Sequence, residues 1–367
     1  MKTPATSAIS PDELSEAFVQ ALIDPERGPS AWRSFLNSWV QNCDAISEAL
    51  RTLVPEADRI TLLTNLLIPI LRNGFQNDAT ALALFDGAQS MGAHLMPVHF
   101  YSPVPDTSNI STTCWEERFD LAPGWDLRDR AQLNLLAMLG AFAEELEDLR
   151  NTSCVDDPHA FDWSKQNRAF NPTDAALYYS MIRHFEPTQV LEIGSGHSTR
   201  IAAKACLRLR PKAVNLTCIE PYPPSWLSAD IPGVSVLSAV PVQEVPVSRF
   251  KTLRSNDILF IDCSHICKIG SDVNYLFFHV LPELAPGVIV HLHDIFLPWN
   301  FPREWVLKSH CFWNEQYLLL AWLHGNANFE ILLASHFLGR VYPEHVSAIF
   351  PFLNSPGGSS FWIRRKA

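Results

Sequence analysis

The chain has 367 residues, which is long for one core, so two domains are expected. Apolar residues make up 47% of it, which places it among packed globular proteins rather than disordered ones. The net charge of -11, with no long basic run, excludes a surface built on Lys and Arg contacts to phosphates, so no nucleic-acid partner is expected.

The chain opens on "MKTPATSAISPDELSEAF", which lacks the apolar centre of a signal peptide. The longest apolar runs, such as "LLTNLLIPIL", are too short and interrupted to span a bilayer, so no membrane partner and a cytoplasmic location are expected. The 8 cysteines are scattered and form no CxxC pair, so they read as reduced thiols rather than a disulfide frame or a zinc site. Residues 11–95 carry helical apolar spacing in "LSEAFVQALI", "AISEALRTLV", "ITLLTNLLIPILRNGF" and "ATALALFDGAQSMG". The Pro-rich "MPVHFYSPVPDTSN" is extended or looped. "DLRDRAQLNLLAMLGAFAEELEDL" resumes a helix, with Asp126 as its N-cap, and a polar linker follows near 151–160.

From residue 173 the pattern changes. "PTDAALYYSMIRHF" is helical, and then the apolar runs "QVLEIG", "NLTCIEP", "GVSVLSA", "DILFID" and "GVIVHLHD" alternate with helical stretches. Continuous apolar strands separated by helices imply a parallel sheet covered on both faces. "FEILLASHFL" and "SSFWIRR" add a closing β-hairpin. The reading is a mainly helical accessory domain over 1–160 and an α/β domain over 161–367.

"VLEIGSGHSTR" is a strand running into a Gly-rich turn and a helix. Ligands of open α/β sheets sit at such carboxyl ends, and a Gly-x-Gly turn alone fits any nucleotide, NAD included. Three details narrow the choice. Glu192 precedes Gly194; Ser198 and Thr199 stand where a dinucleotide fold favours a third glycine; and Glu220 ends the next strand, where a carboxylate can accept both ribose hydroxyls. Two acids and no phosphate cradle suit a cationic nucleoside.

A second constellation lies downstream. "FIDCSH" puts Asp262 at the end of the fourth strand with His265 three residues on, and "VIVHLHD" ends the fifth strand with His293 and Asp294. Adjacent parallel strands deliver these side chains to one edge. Two carboxylates with no Lys or Arg nearby in sequence raise a pKa or recruit a counter-ion. His291, inside the apolar strand, reads as a hydrogen-bonded core residue. Past Asp294, an aromatic and Pro-rich loop offers Trp299, Asn300, Trp313 and Glu315 for contact with a substrate.

The ordered set "VLEIGSGHST…CIEP…LFIDCSH…LPELAPGVIVHLHD" resembles the class I S-adenosylmethionine-dependent methyltransferases. Within them it is similar to a bacterial group that includes macrolide-sugar O-methyltransferases and cephamycin-type enzymes. The resemblance covers roughly residues 165–365. It implies a Rossmann-like seven-stranded methyltransferase core with an N-terminal helical accessory domain, the latter shaping the acceptor pocket or making a homo-oligomer contact. It implies S-adenosyl-L-methionine as cofactor, with Gly194, Ser195, Gly196 and Ser198 along the methionine moiety, Glu192 and Glu220 as the acids near it, Glu220 on the ribose, and Gln243 and Glu244 near the adenine. Similar enzymes hold magnesium with Asp and Glu-Asp and use a His as base; the matching positions are Asp262, His293 and Asp294 for the metal, and His265, beside Asp262, for catalysis. His293 departs from that pattern, since those relatives carry Glu there. Imidazole is a poor ligand for magnesium and a good one for Fe or Mn, so the ion is Mg, Mn or Fe, or is replaced by His293 as a second acid–base group. The implied reaction is O-methylation of a small-molecule hydroxyl in secondary metabolism. N- or C-methylation, a non-catalytic cofactor-binding module and a dehydrogenase are the alternatives.

Overall fold

The computed structural model describes residues 78–367 apart from 91, 120–124, 153–156, 165, 166, 168 and 229. The chain divides into two compact units, residues 1–106 and 107–367. The described part of the first holds helix α1 (Asp78–Ser90), within the expected helical run, and then an extended stretch. The helices expected between 11 and 77 lie outside the described residues. No helix among the described residues is long and apolar enough to cross a membrane.

The second unit is built on a seven-stranded sheet in the order β3-β2-β1-β4-β5-β7-β6. Strands β1 (Gln189–Ile193), β2 (Asn215–Ile219), β3 (Val236–Ser238), β4 (Ile258–Ile261) and β5 (Ile289–Leu292) run parallel, and β6 (Phe329–Ala334) and β7 (Phe361–Arg365) form the antiparallel hairpin. Every residue of β4 and β5 is buried, as a sheet covered on both faces requires. Asp257 sets the register of the central strands. Buried just before β4, its carboxylate accepts from the backbone N–H groups of Thr188 and Gln189 at 2.9 and 2.8 Å.

Helices α2 (Asp129–Leu139) and α3 (Ala143–Asn151) lie in the unit of residues 107–367. Leu135, Leu136, Leu139 and Leu146 enter the same buried core as the strands, and the Gln132 side chain accepts from the Ala334 N–H at 2.8 Å. Helix α4 (Pro172–Phe185) starts at an Asn171 cap that accepts from the N–H groups of Thr173 and Asp174, with Pro at the first helical position. Its residues Thr173 to Ile182 are all buried, with the Tyr178 ring stacked 5.0 Å from Phe260 of β4. The chain runs outward from β1 to β3 and then returns to β4 on the other side. The carboxyl ends of β1 and β4 therefore flank the switch point where ligands of such sheets bind.

Candidate active site

The Gly-rich turn leaves β1 and enters helix α5 (His197–Leu207). Gly194 has φ +82°, and a Cβ there would lie 1.6 Å from the Asp262 carbonyl oxygen, so only glycine fits between the two strand ends. Beside the turn is a cavity of about 280 Å³ lined by Gly194, Ser195, Gly196, Ser198, Glu220 and Asp262, with Phe170, His197 and Trp226 closing its sides. Five of the eight residues expected near the cofactor thus converge on one space.

The other three, Glu192, Gln243 and Glu244, are not among the residues lining it. Glu192 is fully buried beneath the turn, where it accepts from Tyr178 Oη at 3.0 Å and Thr199 Oγ1 at 2.6 Å. Burial pushes its carboxyl up to about 7, against the pull of those two hydrogen bonds. Thr199 Oγ1 in turn accepts from the Gly196 N–H at 3.1 Å, so Glu192 braces the turn from below. The Gln243 amide donates to the Gly270 carbonyl at 3.1 Å and is not among the residues lining the cavity.

Asp262 follows β4, His265 sits on the next loop, and His293 and Asp294 follow β5; the four come together, and Asp262 is the one that lines the cavity. Asp262, His265 and Asp294 each offer a ligand atom within 4.8 Å of the others. His265 Nε2 lies 3.2 Å from Asp262 Oδ1 and 3.7 Å from Asp294 Oδ2. His293 Nδ1 stands 3.5 Å from Asp262 Oδ1 and 3.4 Å from Asp294 Oδ1 without a hydrogen bond. His265 and Asp294 both hold left-handed backbone, at φ 59° and 56°, a conformation that is costly for non-glycine residues and often kept at functional sites. His291 points into the core, bonded to Ser360 Oγ at 2.8 Å and stacked 3.8 Å from Trp362.

Two buried acids that the sequence left without these roles hold the imidazoles from behind. Glu315, the first residue of helix α6 (Glu315–His324), bonds His265 Nδ1 at 2.8 Å. The N–H groups of Asn314 and Glu315 also donate to the His265 carbonyl at 3.1 Å each, and the Trp313 ring lies 4.4 Å from the His265 ring. Asp174, on the first turn of α4, faces His293 Nε2 at 3.3 Å. Of the remaining residues named for substrate contact, Trp299 is buried in the core under the Arg340 guanidinium, and the Asn300 amide donates to the Cys114 carbonyl at 2.8 Å.

The field of these carboxylates shifts both imidazoles. Burial alone would lower the pKa of His265, but its bonds to Asp262 and Glu315 outweigh that and lift it to about 10. These carboxylates favour the charged ring over the neutral imidazole. His293 is also raised, with burial overcome by Asp294 and Asp262. Asp294 moves up through burial, with the neighbouring Asp262 charge adding to it.

Residues 191–295 match the sequence model of a methyltransferase-domain family. An uncharacterized protein of Archaeoglobus fulgidus is 30% identical over 193 residues, 48% of this chain and 83% of that protein. Among solved structures, the O-methyltransferase TomG of Streptomyces achromogenes, involved in tomaymycin synthesis and solved with S-adenosylmethionine, shares 15% identity over 65% of this chain and 96% of its own, with a TM-score of 0.33. The O-methyltransferase of Bacillus cereus, solved with S-adenosylhomocysteine, shares 12% over 63% and 100%, with a TM-score of 0.34.

Proposed function

We propose, from the premise that the chain belongs to the class I S-adenosylmethionine-dependent methyltransferases, that it moves the sulfonium methyl of its cofactor to a hydroxyl oxygen of a small-molecule acceptor. One observation carries the reading. Asp262 lines the cavity of the Gly-rich turn and also stands 3.2 Å from His265 Nε2, so one side chain links the space assigned to the methyl donor to an imidazole.

In this reading Gly194, Ser195, Gly196 and Ser198 hold the amino-acid end of the cofactor, and Glu220 accepts its ribose hydroxyls. The acceptor oxygen must shed a proton as it attacks the methyl carbon, and His265 Nε2 takes it, a contribution of roughly 10²- to 10⁴-fold. Glu315 fixes Nδ1–H, so the reactive nitrogen is always Nε2. His265 must first lose the proton that Asp262 and Glu315 favour. The orphaned His293 Nδ1, buried between two carboxylates, fits a divalent cation at Asp262, His293 and Asp294. When bound, the cation supplies positive charge that offsets those carboxylates and acidifies the acceptor hydroxyl. The protein's own part in the rest is positioning.

Calorimetry with S-adenosylmethionine and with NAD tests the premise. The sulfonium cofactor should bind and NAD should not, and Glu220→Ala should weaken binding by ~1–3 kcal/mol, the cost of unpaired polar groups. A folded wild-type chain that ignores S-adenosylmethionine at millimolar concentration defeats the reading. Tritiated methyl transfer to matched hydroxyl and amine acceptors tests the atom, and label on amines alone defeats O-methylation.

A further inference from the structure

We infer that Asp174 is the positioning residue of His293, and that through it the centre presents an imidazole lone pair to a divalent first-row transition ion in preference to magnesium. This rests on the reading that Asp262 and Asp294 hold a cation.

Asp174 is fully buried, and 119 residues separate it from His293 in the chain. Its Oδ1 accepts from the backbone N–H groups of Ser359 and Ser360 at 3.0 and 2.9 Å and from Ser335 Oγ at 3.2 Å. Its Oδ2 accepts from the Ser359 N–H at 2.9 Å and from the Asn171 amide, and faces His293 Nε2 at 3.3 Å, with Ser359 Oγ 3.2 Å from Oδ2 and 3.3 Å from Nε2. There is no slack in this seat, since a Cβ on Gly358 would lie 2.3 Å from Oδ1. An ionised carboxylate only accepts, so the proton between Asp174 and His293 belongs to Nε2. That leaves Nδ1 as the nitrogen that faces the two aspartates, with a lone pair to offer once its own proton is displaced. The ring is 2% exposed, Nδ1 makes no hydrogen bond, and it lies 3.5 and 3.4 Å from the two aspartates. Nδ1 and two carboxylate oxygens sharing a buried space repel one another unless a proton or a metal cation stands between them, and a metal ion bound there takes the proton's place. A ligating histidine whose far N–H is held by a carboxylate is the usual form of such a ligand, and imidazole favours Fe, Co or Zn where magnesium favours oxygen.

Co(II), titrated into the purified full chain, is the probe, followed by its visible spectrum and by calorimetry, with Mg(II) in parallel. Co(II) should bind at least ~10²-fold more tightly than Mg(II), as a nitrogen-bearing site requires. In Asp174→Asn the carbonyl should take the Oδ1 place, because there it can accept from both fixed backbone donors, the Ser360 N–H and the Ser359 N–H, which is shared between Oδ1 and Oδ2 at 3.0 and 2.9 Å, while the Ser359 hydroxyl and Asn171 amide can turn away. Its NH₂ then faces His293 Nε2 and drives the ring proton to Nδ1. This variant should bind Co(II) about 10–100-fold more weakly, with an altered visible band and a smaller preference over Mg(II). A folded Asp174→Asn chain with wild-type Co(II) affinity and spectrum overturns the inference alone. Absence of Co(II) binding by the wild type overturns it together with the cation reading, while cofactor binding in the same sample leaves the methyltransferase reading standing. Should Asp174→Asn not fold, ¹⁵N-histidine-labelled wild type with Zn(II) decides. A shifted Nδ1 and a protonated Nε2 on His293 support the inference, and an Nδ1 that does not respond overturns it.

Discussion

Glu192 should make the protein less stable as pH rises. Its carboxyl is fully buried, and burial lifts its pKa from 4.5 to about 7. A raised folded pKa means that the folded chain holds the proton more tightly than the unfolded one. The contribution is complete below pH 4.5 and is lost as pH climbs through 7. At about 1.4 kcal/mol for each pK unit, the group takes away roughly 3 kcal/mol across that window. Glu192→Gln abolishes the titration. It keeps one acceptor for Tyr178 Oη or Thr199 Oγ1 and sacrifices the other bond, an offset of about 1 kcal/mol at all pH values. Urea unfolding of both proteins from pH 4.5 to 8 measures the difference. Glu192→Gln should be the less stable chain at pH 4.5 and the more stable one at pH 8. A difference that stays constant with pH would show that Glu192 is ionised throughout, and the account of its burial would be wrong.

His336 titrates in nearly the same window with the opposite sign. Burial, aided by the Arg340 charge, depresses it from 6.5 to about 4, so its contribution is present above pH 6.5 and is lost as pH falls through 4. His336→Gln should remove an acid destabilisation on the order of 2–3 kcal/mol, and equal acid sensitivity in both proteins would refute that. Because the two groups offset each other in the wild type, only variant-minus-parent curves reveal either. Gly194→Ala places a methyl group 1.6 Å from the Asp262 carbonyl at φ +82°; it should lower S-adenosylmethionine affinity by more than ~10-fold or unfold the chain, by calorimetry and thermal melting, and an unchanged variant refutes the packing argument. His265→Gln should lose at least ~10²-fold in methyl transfer with cofactor affinity nearly constant, and retained turnover removes the base assignment.

The strands and the Gly-rich turn were legible because their signals are local. Continuous apolar runs mark buried strands, and glycine marks the one place where β1 and β4 touch. Asp262, His265, His293 and Asp294 were legible for a related reason, since parallel strands carry their last residues to a common edge. Glu192 shows the limit of spacing. It stands where a ligand acid would, yet Tyr178 and Thr199 enclose it, and neither contact is written in the motif. Asp174 reads in sequence as an acid in the first turn after an Asn-Pro start, a common way to satisfy a helix N-terminus. Only the fold brings it to His293 and to the Ser359–Ser360 backbone. Glu315 was visible as a polar residue near the site, but its role depends on a bond across 50 residues. The charge of His265 was unreadable for the same reason, because its carboxylates come from three separate segments.

The buried polar groups of the centre hold the fold together as well as the chemistry. Asp174 joins the start of α4 to β5, to helix α7 (Ser335–Val341) and to the start of β7. Ser359 Oγ, bonded to Asp174 Oδ2, also donates to Asp294 Oδ1 at 2.9 Å. Glu315 ties α6 to the loop after β4 through its carboxylate and its N–H. Each imidazole is thus fixed by an acid on a rigid helix, while Asp262 remains the partly exposed member at the cavity. Left-handed backbone at His265 and Asp294 can persist only because these anchors over-determine it, at roughly 1–3 kcal/mol for each residue. Removing an anchor must then lower stability and release the reactive ring together. Activity alone therefore cannot assign a role to Asp174 or Glu315, whereas a metal spectrum or a ring-nitrogen shift, read on the folded fraction, can.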